Sequence, residues 1–262
     1  YERTGPAAWT LRASLTPSDG VANDRFGWGV WWANGRALVF ALNHRPNTSA
    51  PRGAIYVFAQ NGAEWQQVQK VQVGTSALDV AQDLMVGVTT AGQVQAWQET
   101  GGQWMGPQTI GAFTPAAPPN DLALHRGATD RIVISQGTAA SVWVAERSAG
   151  GNWSTPTSVD VLGAAAGLSV NVSTSGDRFV VGNPGLTVNR LSQVGETRVF
   201  RYSGAAALPE STLRNTAGFL GDRAGSVIAG SGDYVLVAAD GTDVAAGGTT
   251  RRDVGTVFVY QR

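Results

Sequence analysis

The chain of 262 residues balances 19 basic against 19 acidic side chains for a net charge of zero, so it has no field to steer nucleic acid or an anionic membrane. It contains no cysteine, which excludes a disulfide framework, thiolate catalysis and cysteine-ligated zinc together. Glycine supplies 34 positions, about twice the usual share of roughly 7%, while no apolar run nears the roughly 18 residues of a membrane span and no charged, apolar signal segment opens the chain.

A two-strand signal recurs along the sequence. A turn opens a short apolar strand at 35–40 (GRALVF), and a glycine opens a second at 53–58 (GAIYVF). The pair returns at 82–87 with 92–97, at 130–135 with 139–144, at 176–182 with 195–200 and at 232–238 with 255–260. Beyond the second strand of each pair a hairpin carries a large apolar residue, Trp65, Trp104, Trp153 and Leu208, with Trp9 in the same role near the start. These mark fourth strands whose side chains pack against a neighbouring sheet. First strands are clearest at 24–30 (DRFGWGV) and 222–228 (DRAGSVI), with 120–124 (NDLAL) keeping the polar pair but not the glycine. Repeats of roughly 40 to 60 residues, rich in short strands and marked by Gly and aromatics, predict an all-β, five-bladed β-propeller of four-stranded antiparallel blades.

The first repeat, Asn23-Asp24-Arg25-Phe26-Gly27 followed by a Gly-led strand, Gly-x-x-Tyr-Val-Phe and a Gly-x-x-Trp hairpin, resembles the FG-GAP repeat of integrin α-chain-type propellers over residues 15–70. The expected blades are 15–70, 71–109, 110–160, 161–214 and 215–262, all in one domain spanning 1–262. The chain begins Tyr1-Glu2-Arg3 and ends Tyr260-Gln261-Arg262, two versions of one strand end. That match predicts a three-plus-one closure in which residues 1–14 supply the outer strand of the last blade, covering an otherwise open edge. A fragment of a larger ring is the alternative.

The loops between second and third strands are short at 88–91 and 136–138 but long at 42–52, 183–194 and 239–254, which belong to neighbouring blades of a closed ring. Long polar loops on a rigid scaffold are free to serve binding. Their candidate contact residues are Asn43, His44, Arg45, Asn47, Asn189, Arg190, Asp240, Asp243, Arg251, Arg252 and Asp253. Trp28, Trp31 and Trp32 form the densest aromatic cluster, and alternation sends Trp31 one way and Trp28 and Trp32 the other, where exposed indoles would stack on a sugar. Wedging the blades apart is the plainer role for all of them.

Asp24, Asp121 and Asp222 recur at one repeat position, which suits carboxylates that cap a turn. Asp19 with Asn23 and Asp24, and Asp240 with Asp243, are too sparse for a calcium loop, so neither cofactor nor metal is expected. His44 and His125 have no metal-ligand spacing and no nucleophile motif near them. The resemblance implies a non-catalytic recognition or adhesion module, secreted or at a cell surface and monomeric, binding a protein or glycan on the long-loop face. A lectin with pockets at or between blades is one alternative. A hydrolase or lyase is the other, favoured if two carboxylates and a histidine such as His44 converge.

Overall fold

The computed structural model describes the chain apart from residues 48, 50, 51, 138, 139, 149, 150, 162–170, 204, 205, 216, 217, 247, 248 and 252, and gives backbone alone at 244–246 and 249–251. Among the described residues every regular element is a strand. Glu2–Arg3 (β1) pairs with Trp9–Thr10 (β2) in a small hairpin. The first four-stranded sheet runs Phe26–Ala33 (β3), Arg36–Ala41 (β4), Ala54–Asn61 (β5), Glu64–Gln72 (β6). The second runs Ala77–Ala81 (β7), Leu84–Val88 (β8), Gln93–Thr100 (β9), Gln103–Ala112 (β10). Pro119–His125 (β11), Asp130–Gln136 (β12), Ser141–Arg147 (β13) and Thr157–Asp160 (β14) form the third. Asn171–Ser175 (β15), Arg178–Asn183 (β16), Glu196–Ser203 (β17) and Ala206–Leu213 (β18) form the fourth. The fifth has three strands, Ala224–Ser231 (β19), Tyr234–Ala239 (β20) and, after a small hairpin of Val244–Ala246 (β21) and Thr249–Arg251 (β22), Thr256–Gln261 (β23). Five successive antiparallel meanders make the fold a five-bladed β-propeller.

Turn chemistry sets these meanders. Asn34 and Gly35, both at positive φ, form the two-residue turn joining β3 to β4, the Asn-Gly pair that a hairpin of this twist favours. The Asp that follows Gln82, Gly176 or Gly232 ends each first hairpin, and its carbonyl accepts an amide on the third strand or just past it: Glu99 to Asp83, Tyr202 to Asp177, Arg262 to Asp233. Apolar, β-branched residues then fill the strands, where a pleated half-buried surface favours them.

The chain separates into two compact units. One holds Tyr1–Thr75, Val80–Met85 and Trp97–Pro107. Its first sheet buries Val39, Ala41, Tyr56 and Phe58 beneath Phe26, Leu15 and Trp65. Gln69 bridges to the second sheet, accepting from the Trp104 amide at 2.8 Å and donating to its carbonyl at 2.9 Å. The other unit holds Ser76–Asp79, Val86–Ala96 and Gln108–Arg262. There a side-chain acceptor on one first strand takes an amide of the next: Asp79 from Leu124 at 2.8 Å, Asp121 from Val172 at 3.0 Å and Ser173 from Gly230 at 3.0 Å. Between them lie the Phe179, Phe200 and Tyr202 stack and the Val180, Val199, Ile228 and Val237 cluster.

Several expectations need correction. The fifth sheet has three strands among the described residues, and Trp9–Thr10 pairs with Glu2–Arg3 in a hairpin of its own. Trp104 is buried as a fourth-strand core residue and Trp65 is half-buried, but Trp9 and Leu208 are exposed, and Trp153 precedes β14 in an isolated bridge to Arg147. Asp121 does not cap a turn as Asp24 and Asp222 do; it accepts from Leu122 and from Val172 of the next sheet.

Candidate functional site

Loop 42–52 springs from a repeated turn. His44 donates its amide to Ala41 and accepts the amide of Gly53; Leu186 does the same with Asn183 and Gly195, and Thr242 with Ala239 and Gly255. The position is buried in all three sheets, yet only the first puts an imidazole there. Beneath it, Asp24 accepts the Val21 amide at 2.9 Å, just as Asp222 accepts that of Phe219 at 2.8 Å. In the first sheet the second bond to this cap comes from His44 Nδ1 at 2.8 Å, where Asp222 accepts one from the Asn215 side-chain amide at 3.4 Å. Lys70 Nζ stands 3.2 Å from His44 Nε2 and 2.5 Å from Asp19, and the Tyr56 hydroxyl donates to Asp19 at 2.8 Å.

The bonding pattern assigns the roles: Nδ1–H donates to Asp24, and Nε2 accepts from the Lys70 ammonium. Lys70 holds Asp19 below the usual carboxylate range, against a small cost of burial. Burial pushes Asp24 up, but the His44 and Val21 bonds outweigh it and leave the carboxyl below its ordinary value. Burial pushes the Tyr56 hydroxyl upward, and Asp19 adds to that. Two carboxylates and a histidine therefore do converge here, with Lys70 and Tyr56, which sequence reading did not single out. Both imidazole nitrogens are engaged and the residue is only 2% exposed, whereas a general base must reach the proton it removes. The cluster holds charge and fixes the root of the loop; it does not present His44 as a contact. Above it Arg45 and Asn47 are exposed, while Asn43 donates to the Asn23 carbonyl.

In the other unit, loops 183–194 and 239–254 meet at residues 221–224. The carbonyls of Ser192, Gln193 and Val194 accept the amides of Gly221, Arg223 and Ala224. Gly241 donates to Asp222, and Asp240 pairs with Arg223 at 3.0 Å. Asp243 accepts the Asp253 amide, which closes the root of the β21–β22 hairpin. This Gly- and Ala-rich stretch reads as loop in the sequence because nothing in it alternates. At the tip of 183–194, Val188 and Leu191 exchange amide bonds at 3.0 and 2.9 Å around Asn189 and Arg190, both at positive φ and both exposed. Arg251 lies on β22 with its side chain undescribed, and Arg252 lies outside the described residues.

Trp28 and Trp32 are exposed at 60% and 66% on one face of β3, with Trp31 half-buried on the other. Trp32 meets Trp65 edge-to-face and Arg25 lies over Trp28. Two clefts flank β18. One of about 140 Å³ is lined by Arg178, Glu210, Asp233, Tyr260 and Arg262. The other, of about 430 Å³, is lined by Asp160, Arg198, Phe200 and Thr212. Arg178 grips Glu210 through two bonds of 2.6 and 2.9 Å and holds its carboxyl below the usual range. Among the described residues no three His, Cys, Asp or Glu side chains group as a metal site, and no helix is long and apolar enough to cross a membrane.

The sheets and their repeated turns define a β-propeller, and solved structures share that fold. The chain is similar to the computationally designed Ika8 protein at 11% identity, over 89% of this chain and 57% of that one, with a TM-score of 0.52. It is also similar to a protein from Lactobacillus plantarum at 15% identity, over 87% of this chain and 66% of that one, with a TM-score of 0.53. The chain thus spans less than two thirds of either structure's length. No curated protein matches it. Within this β-propeller, residues 9–58 match the FG-GAP repeat family. That fold suggests a protein-interaction module.

Proposed function

We propose that the chain is a non-catalytic recognition module, extracellular or at a cell surface, which binds a protein partner through its long loops. One observation carries this reading. A two-residue turn with both residues at positive φ favours glycine at its second position, yet Arg190 stands there at φ 68° with its side chain in solvent. A left-handed backbone costs a residue with a Cβ about 1–2 kcal/mol. Strain held at an exposed arginine on a loop tied down by three amide bonds is the pattern of a contact residue kept for its side chain. The extracellular setting rests on the family resemblance. The test is binding of the purified chain to a panel of extracellular matrix proteins and to a glycan array. Saturable binding to a protein that Arg190→Ala abolishes supports the reading; binding that survives it refutes the loop assignment.

The cleft beside Tyr260 favours a second reading, as a lectin. It joins an aromatic ring to the Arg178–Glu210 pair and Asp233, the mix of flat apolar face and hydrogen-bonding groups that holds a sugar ring. Array binding lost in Glu210→Ala but kept in Arg190→Ala selects it.

A further inference from the structure

The turn that leads into β19 holds two large apolar side chains in solvent. Phe219 and Leu220 are 62% and 64% exposed. The backbone beneath them is fixed. Asp222, itself 1% exposed, accepts the Phe219 amide at 2.8 Å and the Asn215 side-chain amide at 3.4 Å, and donates its own amide to the Phe219 carbonyl. Gly221, at φ 87°, ties the turn to loop 183–194 by donating its amide to the Ser192 carbonyl at 3.1 Å. The turn and the loop that holds it belong to one compact unit. The first repeat makes the same turn with Val21 and Ala22: Asp24 accepts the Val21 amide and returns its own to the Val21 carbonyl, and Asn23 stands at positive φ where Gly221 does. The turn itself therefore needs neither a phenyl ring nor a leucine. Two such side chains held rigidly in water are the pre-organised anchors that a protein interface uses.

We propose that Phe219 and Leu220 enter an apolar pocket of a partner protein, with a carboxylate of the partner at the pocket's rim facing Arg190. This partner chemistry rests on the long loops being a protein-binding surface. Leu191, 40% exposed, directly precedes the Ser192 carbonyl that holds Gly221 and brings a third apolar side chain to the junction. Arg190, next to it in the chain, is exposed and forms no ion pair among the described residues, which leaves its charge for an acidic group of the partner. Arg223 and Asp240, at the foot of the turn, pair with each other at 3.0 Å and add no net charge. Aromatic and arginine side chains are among those enriched in protein interfaces. A second copy of the chain is a poor receptor, since the clefts that flank β18 carry the ion-paired Arg178, Glu210 and Arg198. A bilayer is a poor one too, because the zero net charge gives no attraction to an anionic lipid surface.

The test is selection from a random peptide library displayed on phage against the whole chain, followed by binding isotherms for the enriched sequences as synthetic peptides. Peptides that combine apolar side chains with Asp or Glu are enriched. The double variant Phe219→Val/Leu220→Ala carries the first repeat's own turn residues and is checked by its melting curve. It binds these peptides about thirtyfold more weakly, the loss that marks an interface anchor. Val21→Ser binds as the parent does. No enrichment, an enriched set without acidic residues, or binding that the double variant retains overturns the proposal. Binding kept by the double variant but abolished by Arg190→Ala overturns the anchors and upholds the long-loop surface; the converse upholds the anchors and refutes the contact at Arg190. Vesicles of phosphatidylcholine and phosphatidylserine leave the parent in the supernatant; cosedimentation that the double variant loses identifies a membrane anchor and overturns the proposal. Where the double variant melts early, Leu220→Ala alone replaces it and is read by the same criteria.

Discussion

His44 shows how one side chain changes what a repeat position does. Leu186 and Thr242 make the same backbone turn, so the fold does not need an imidazole; the first sheet uses it to bond a buried carboxylate and an ammonium. His44→Ala leaves Asp24 with one bond fewer, and a charge-assisted bond is worth about 1.5–3 kcal/mol. Chemical denaturation at neutral pH is expected to show a loss of that size. Asp19 and Asp24 both titrate below their ordinary value, so they bind fewer protons folded than unfolded near pH 4. The stability that they contribute is complete above the unfolded carboxylate range and falls away as pH drops through their lowered values. Asp121 behaves oppositely, because burial raises it: its contribution is present at low pH and is lost as pH rises through its raised value. Asp24→Asn should therefore flatten the acid limb of a stability–pH curve, and Asp121→Asn should lift the neutral limb. A curve unchanged by Asp24→Asn would show that the His44 bond contributes nothing. The sequence displayed Asp24, Asp222 and His44, but the cluster was not legible: Asp19, Tyr56 and Lys70 are brought to His44 by the pairing of separate strands.

At the scale of elements, the strands that sequence reading located were those with strong turn punctuation. The Asn34-Gly35, Gly176-Asp177 and Gly232-Asp233 turns each sit where the second strand was placed. The first strands β7 and β15 went unlocated because ALDVA and NVSTS are short, and NVSTS carries little apolar alternation. Where the fourth and fifth sheets touch, backbone meets backbone. A Cβ on Gly225, at φ 92°, would stand 2.8 Å from the Glu196 carbonyl oxygen and 2.9 Å from the Gly182 Cα. Gly225→Ala is expected to cost more than about 1 kcal/mol, because it combines a forbidden φ with a backbone clash. Glu196 lies beside that contact, fully buried between Arg198 and Arg214 at 2.6 Å each. Glu196→Ala should cost about 3 kcal/mol, near the lower end for breaking a buried pair because Arg214 reaches solvent. Urea melts of both variants check these values, and a neutral Gly225→Ala would show that the sheets can move apart.

For the molecule as a whole, the propeller fold follows from five repeated meanders, whereas the proposed binding surface follows from what is not repeated. Loops 183–194 and 239–254 are joined through 221–224 and carry Arg190 and Asp243 outward. The fold was readable because periodic strands leave a periodic sequence; the loops were located by length alone, since their conformation depends on bonds to residues far along the chain. The central claim is that Arg190 is retained for contact at a cost in stability. Arg190→Gly tests it most directly, with a melting curve and a binding isotherm for the panel protein measured on the same preparation. The account predicts a melting temperature raised by about 2–4 °C, the shift that relief of roughly 1 kcal/mol gives a domain of this size, together with loss of binding. A variant that binds as the parent does would contradict it.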